Sequence, residues 1–188
     1  MQRVRPTADS YTSIAVWLHW LLAVALFAQL ALGWWMLDLP KSPPGLRAGW
    51  FNLHKSIGLS IGALALGRLA WRLRHPVAPD PQLTAWQRHA ARLTHALLYL
   101  CMLALPLSGL LGSNFTRYPV RYFGIALPAW NHEWPAAKEL MSALHAAGVW
   151  LLMTLVGVHV LAALWHWLRR DAVCARMGLP TLTHLNGS

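Results

Sequence analysis

The sequence predicts an all-α integral membrane protein, a four-helix bundle, and its composition, hydropathy and segment lengths lead to that fold class. Of 188 residues, 56% are hydrophobic and only 12% are charged, which is too apolar for a soluble domain of this size. A helical span needs about 20 apolar residues. Four stretches have that length, 14–37, 53–73, 94–113 and 144–168, and we expect a single domain over residues 1–188.

The connecting segments are expected to be turns and one interfacial loop. Arginines precede the first stretch as in a signal peptide, but the stretch is long and no small-residue cleavage site follows it; we expect it to remain as helix one. Segments 38–52 and 75–89 each contain three prolines, which end helices. The longest loop, 114–133, mixes aromatic and basic residues and is expected to form a partial lid.

The basic residues predict topology rather than a nucleic-acid partner. The net charge is +10, but the basic residues lie in short loops between apolar stretches instead of on one soluble face. With four spans, nine fall on the side of both termini and six on the other: Arg3, Arg5, Arg72, Arg74, Arg88, Arg92, Arg169, Arg170 and Arg176 against Lys41, Arg47, Lys55, Arg117, Arg121 and Lys138. The positive-inside rule therefore favours cytoplasmic termini.

Histidines in the apolar stretches indicate a cofactor, because ionisable side chains within a membrane are costly. His145 and His159 are about 40° apart around one helix and about 21 Å apart in depth. His19 matches the depth of His159, and His54 that of His145. Each depth thus has two imidazoles on different helices, as bis-histidine ligation of haem requires. An interior hydrogen-bonded histidine is the alternative for any one of them. No CxxCH motif occurs, so haem would be bound non-covalently.

Four further residues near the inner depth have candidate roles. His166 and His95 are candidates for contact with quinone, and His95 also for contact with a haem propionate. The alternative for His166 is an interfacial histidine reaching toward water. Arg68 and Arg72 are candidate propionate partners, although arginines there are also explained by membrane orientation.

On the opposite side, Lys55, Arg117 and Arg121 could form a basic surface that attracts a small anion. Contact with anionic lipid headgroups is the alternative.

Glycines beside the histidines admit two interpretations. Gly58 and Gly62 follow His54 on nearly one helix face, and Gly148 follows His145. They could let a planar ring approach the backbone, or they could allow close packing between helices.

Short motifs occur in a fixed order along nearly the whole chain: Leu18-His19-Trp20, His54-Lys55-Ser56-Ile57-Gly58, residues 68–76, His95, Tyr99, Leu105-Pro106, Gly109-Leu110, Phe123-Gly124 and the spacing of His145 and His159. In this order they resemble the bacterial cytochrome b561 family, and in particular its short four-helix members that act as superoxide oxidases. The resemblance implies a bacterial inner-membrane protein. It also implies that His19 and His159 ligate the inner haem b, and His54 and His145 the outer haem b.

The resemblance further implies that superoxide gives its electron to the outer haem at the periplasmic face. Ubiquinone would be reduced near the inner haem, with His166 beside it. The loop containing Arg117 and Arg121 departs from any fixed pattern of the family.

Three hypotheses of function follow. The first is a superoxide:quinone oxidoreductase. The second is a membrane cytochrome b subunit that links a periplasmic dehydrogenase, a hydrogenase-type partner or another periplasmic redox partner to the quinone pool. The third is a haem-free transporter or scaffold in which the histidines bind metal or carry protons. Membrane lipid is an expected partner in all three, and nucleic acid in none.

Overall fold

The computed structural model describes residues 11–40, 45–78, 83–128, 132–169 and 175–177. Four long helices dominate it: α1 (Ser13–Trp35), α2 (Leu46–Arg74), α3 (Ala85–Asn114) and α4 (Pro135–Leu168). Smaller elements are 3-10 turns at Met36–Asp38 and Ala175–Met177 and a hairpin of β1 (Arg121–Tyr122) and β2 (Ile125–Ala126). Four residues used in the topology count lie outside the described residues: Arg3, Arg5, Lys41 and Arg170.

Three helices begin earlier than predicted. The starts of α2, α3 and α4 are residues 46, 85 and 135, where the apolar stretches predicted 53, 94 and 144, so the predicted boundaries were wrong. Hydropathy locates the apolar centre of a helix, whereas polar capping residues set its start. Thr84 and Gln87 form a capping box before α3, and Pro135 occupies the first turn of α4.

Within the described ranges, three helices are long and apolar enough to cross a membrane: α1 with its 3-10 extension, α3 and α4. Helix α2 has 29 residues and so a length of about 43 Å. It is more polar because charged residues, among them Lys55 and Arg68, lie toward both of its ends. The chain is therefore a multi-pass membrane protein, and the crossing of α2 stays a prediction.

The helices of the bundle pack mainly against their neighbours in the chain. Helix α2 packs against α1 and α3, and α3 packs against α4. Ile61 and Ala65 of α2 are buried with Leu22 of α1, while many large apolar side chains of α1, α3 and α4 are exposed, as expected of surfaces that face lipid.

The glycines beside the histidines serve helix packing. A Cβ atom built on Gly62 would lie 3.3 Å from Pro106, and one on Gly148 would lie 2.9 Å from Leu105. A Cβ atom on Gly58 would lie 3.1 Å from the side-chain nitrogen of Gln29. Each glycine thus meets a neighbouring helix, which favours the packing interpretation.

The predicted interfacial loop contains a hairpin that is fixed to α2. Phe123 and Gly124 have positive φ values of 46° and 91°, which is the backbone pattern of a tight type I′ turn. The fully buried Ser56 accepts a hydrogen bond from the Phe123 backbone N–H at 2.9 Å. Its hydroxyl also lies 3.3 Å from the Arg121 carbonyl oxygen. The hairpin therefore lies against α2 only two residues from His54.

Candidate functional site

One end of the bundle brings together three histidines from three helices. His19 of α1, His95 of α3 and His159 of α4 form what we call the terminal-side cluster, because it lies where α1 begins and α4 ends. The ring centroids of His19 and His159 are 6.1 Å apart, and those of His95 and His159 are 5.3 Å apart. The predicted match in depth between α1 and α4 is thus present, and His95 joins the same cluster.

Helix α2 contributes a cation to this cluster. A terminal nitrogen of Arg68 lies 3.5 Å from Nδ1 of His19, and the other donates to the hydroxyl of Tyr99. The Nε atom of Arg68 is buried and has no hydrogen-bond partner in the described part of the chain. Burying a cation is costly without an anionic partner, so the cluster is suited to a ligand that carries a carboxylate.

Two other predicted residues lie nearby on these helices. Arg72 is one turn after Arg68. Both arginines line a small cavity together with Trp71 and His75. His166 is in the last turn of α4, two turns beyond His159, and its ring contacts that of Trp165 with centroids 4.8 Å apart.

The other end of the bundle holds the hairpin-side pair, His54 of α2 and His145 of α4. Their ring centroids are 6.3 Å apart. Nδ1 of His145 lies 3.0 Å from the carbonyl oxygen of Leu105 and 3.2 Å from the hydroxyl of Ser108. Because the ring donates its Nδ1 proton to this carbonyl, its Nε2 atom is left with a free lone pair. That is the tautomer a metal-binding histidine needs.

The spacing of both pairs fits trans ligation of one metal. Two metal–nitrogen bonds of about 2.0 Å, with about 1.1 Å from each nitrogen to its ring centroid, separate two trans imidazole centroids by about 6.2 Å. His19 and His159 are at 6.1 Å, and His54 and His145 are at 6.3 Å. The rings of His95 and His159 lie closer together, with centroids 5.3 Å apart.

The donor set also distinguishes the kind of metal group. Within the described ranges, no three or more His, Cys, Asp or Glu side chains are placed to hold a bare metal ion. Two imidazoles on opposite sides instead suit a metal whose remaining ligands come from a planar macrocycle, as in haem.

Two glycines and one glutamine also lie beside His54 and His145. Of these, Gly33 and Gln29 were not identified from the sequence. A Cβ atom on Gly33 would lie 3.0 Å from Cε1 of His54, and one on Gly109 would lie 3.5 Å from His145. Gln29 donates to the carbonyl oxygen of His54 at 2.7 Å. The available signals were a lone amide and a glycine one turn apart within the apolar run of α1.

The predicted basic residues at the hairpin side differ in their surroundings. Lys55 is half-buried beside His54, whereas Arg121 is exposed on β1 and donates to the carbonyl oxygen of Gly124 at 3.2 Å. Arg117 forms an ion pair with Glu133 at 3.1 Å. Its charge is therefore partly offset by the neighbouring carboxylate.

The two histidine pairs sit on a chain whose sequence matches a known family. The profile of the prokaryotic cytochrome b561 family covers residues 10–179. This chain belongs to the prokaryotic cytochrome b561 family. The predicted family is thus confirmed, and with it a haem b-binding membrane protein of electron transfer.

Individual relatives in this cytochrome b561 family match over nearly their full lengths. The Escherichia coli K12 protein named cytochrome b561 homolog 2 is 33% identical over 178 residues, which is 91% of this chain and 92% of the relative. Cytochrome b561 homolog 1 of the same organism is 27% identical and covers 90% and 97%. The probable superoxide oxidase CybB of Yersinia pestis is 25% identical and covers 89% and 94%.

Proposed function

We propose that this cytochrome b561 protein binds two haem b groups and conducts electrons between them across the membrane. His19 and His159 ligate one haem, and His54 and His145 ligate the other. The observation that carries the proposal is that each pair brings two imidazoles of different helices together, with centroids 6.1 and 6.3 Å apart, a spacing at which both rings of a pair would be able to hold one metal. Haem supplies reversible one-electron chemistry when bound.

Residues at the terminal side of the bundle orient the haem that His19 and His159 bind, and they contact the quinone. Arg68, whose buried Nε has no hydrogen-bond partner among the described residues, would pair with a haem propionate. Arg72, which lines one small cavity with Arg68, is the second candidate. His95 and His166 are the candidates to contact ubiquinone, and the protons for its reduction come from His166 or from water. With the termini in the cytoplasm, those protons come from the cytoplasmic side.

The proposed reaction is oxidation of superoxide by ubiquinone, a superoxide:quinone oxidoreductase activity. Two superoxide anions each lose one electron and become O2, while one ubiquinone gains two electrons and two protons and becomes ubiquinol. The name of the Yersinia pestis relative, a probable superoxide oxidase, supports this substrate. The half-buried Lys55 beside His54 and the exposed Arg121 give the hairpin side a positive field that favours arrival of a small anion.

A second candidate is a membrane subunit that takes electrons from a periplasmic dehydrogenase or hydrogenase-type partner. The exposed hairpin tip favours it, since Phe123 and Ile125 are 58% and 70% exposed beside the hairpin-side pair. The haem-free transporter loses its support because the family binds haem b.

One kinetic experiment distinguishes the two candidate functions. The purified protein is mixed with superoxide in a stopped-flow instrument with a soluble ubiquinone present, and haem absorbance is followed with and without superoxide dismutase. Haem reduction that dismutase abolishes, followed by reoxidation by quinone, is the expected result. Haems that stay oxidised with superoxide but are reduced through a periplasmic donor would replace the first candidate with the second.

A further inference from the structure

Gln29 is a buried amide in the middle of an apolar helix. Its side chain is 9% exposed, and its Nε2 donates to the backbone carbonyl oxygen of His54 at 2.7 Å. A Cβ atom on Gly58 would lie 3.1 Å from that Nε2, so the amide is closely confined between α1 and α2. Its Oε1 atom is buried and has no hydrogen-bond partner in the described part of the chain.

His54 has a matching atom without a partner. Its Nδ1 is buried and likewise unbonded among the described residues. The ring turns its Cε1 and Nδ1 edge toward α1, because a Cβ atom on Gly33 would lie 3.0 Å from Cε1, 3.5 Å from Nδ1 and 3.9 Å from Nε2. Gly33 is one turn after Gln29 on the same face of α1. The unpaired acceptor and the unpaired ring nitrogen thus share one interface.

Ligation by Nε2 places the proton of a neutral imidazole on Nδ1, and that proton needs an acceptor. A buried donor or acceptor that lacks a partner destabilises the folded protein. His145 already has its acceptor in the carbonyl of Leu105, at 3.0 Å. For His54, the available acceptor is Oε1 of Gln29, one turn before Gly33 on α1.

We propose that Oε1 of Gln29 accepts the Nδ1 proton of His54, directly or through one bound water, and so positions His54 as a metal ligand. The inference rests on the proposed ligation of haem by His54. Gln29 is a positioning residue: its amide nitrogen fixes the backbone of His54, and its oxygen fixes the tautomer and orientation of the ring. Loss of such an outer partner typically lowers metal affinity about 10- to 100-fold and makes the ligand less basic.

The test uses the full-length protein in detergent, with haem affinity and two-component redox titration as readouts. The hairpin-side component is assigned as the one lost in His54→Ala. In Gln29→Leu, which is apolar and of similar size, we expect about 10- to 100-fold weaker haem binding at this site and a higher potential, with the other haem unchanged. Gln29→Glu should retain affinity, because a protonated carboxyl group can donate to the His54 carbonyl and accept from Nδ1.

Asn114→Leu is the matched control. Asn114 is also a buried amide whose oxygen has no hydrogen-bond partner among the residues that the structure describes, but its nitrogen donates to the carbonyl oxygen of Leu110 on its own helix. This variant should leave both haem potentials as in the wild type.

The outcomes separate this inference from the proposed function. Suppose that the wild type binds two haems and His54→Ala loses one, but Gln29→Leu has the haem affinity and potential of the wild type. That result would overturn the role of Gln29 and leave the ligation by His54 intact. Equal losses in Gln29→Leu and Gln29→Glu would show that Gln29 acts by packing alone, and would overturn it too. Retention of both haems in His54→Ala would overturn the ligation and this inference together.

Discussion

Adding one methyl group at Gly33 should selectively weaken haem binding at the hairpin-side pair. The Cβ atom of Gly33→Ala would lie 3.0 Å from Cε1 of His54, whereas non-bonded carbon atoms prefer about 3.5–4.0 Å. The ring must therefore move by about half an ångström or more. A free imidazole can rotate away, but one bound to iron is held in place, so the strain falls on the haem-bound state.

Overpacking of this kind typically costs about 1–3 kcal/mol, which corresponds to about 5- to 150-fold weaker haem binding. The higher helix propensity of alanine, up to about 1 kcal/mol, acts on the haem-free and haem-bound states alike and cancels. The assay is titration of haem into haem-depleted protein, followed by absorbance.

Gly109→Ala is the matched control, since its Cβ atom would lie 3.5 Å from His145, an ordinary contact. We expect two haems of normal affinity in this control. Two haems of wild-type affinity in Gly33→Ala, or loss of the terminal-side haem instead, would refute the reasoning.

Three further predictions concern single side chains. Arg68→Gln removes the cation beside His19 and should lower the potential of the terminal-side haem alone; an unchanged potential would contradict its pairing with a propionate. Ser56→Ala removes the buried hydroxyl that bonds to the hairpin and should speed hydrogen exchange at residues 121–126 about fivefold, since a net bond contributes about 1 kcal/mol. Ser60→Ala, which loses only one contact to the hairpin, should have a smaller effect, and equal exchange in both variants would be inconsistent with that role. Lys55→Met should slow haem reduction by superoxide and weaken the salt dependence of the rate. Arg117→Ala should change the rate little, because Arg117 is exposed and already forms an ion pair. A larger effect of Arg117→Ala than of Lys55→Met would count against Lys55 as the attracting charge.

The helices and the histidine pairs were accessible to sequence reasoning because they follow from period and depth. The spacing of His145 and His159 fixes their relative angle and rise on any α-helix. The order of the four spans then places His19 at the depth of His159 and His54 at the depth of His145. Helix starts were predicted poorly, because hydropathy does not register a capping residue such as Thr84.

The surroundings of the histidines depended on packing, which the sequence alone does not specify. Neither the carbonyl of Leu105 beside His145 nor the contact of Gly33 with His54 leaves a distinctive local pattern, since each joins residues of different helices. The pairing of Arg117 with Glu133 was missed for the same reason. Arg68 and Arg72 were both predicted as propionate partners, and among the described residues only Arg68 has a buried guanidinium nitrogen without a hydrogen-bond partner.

The haem-to-protein ratio of the wild type and of single alanine variants tests the central claim most directly. The account predicts two haems b in the wild type and in His95→Ala. It predicts one haem in each of His19→Ala, His54→Ala, His145→Ala and His159→Ala. Loss of a haem in His95→Ala with both retained in His19→Ala, or a wild type with a single haem, would contradict it.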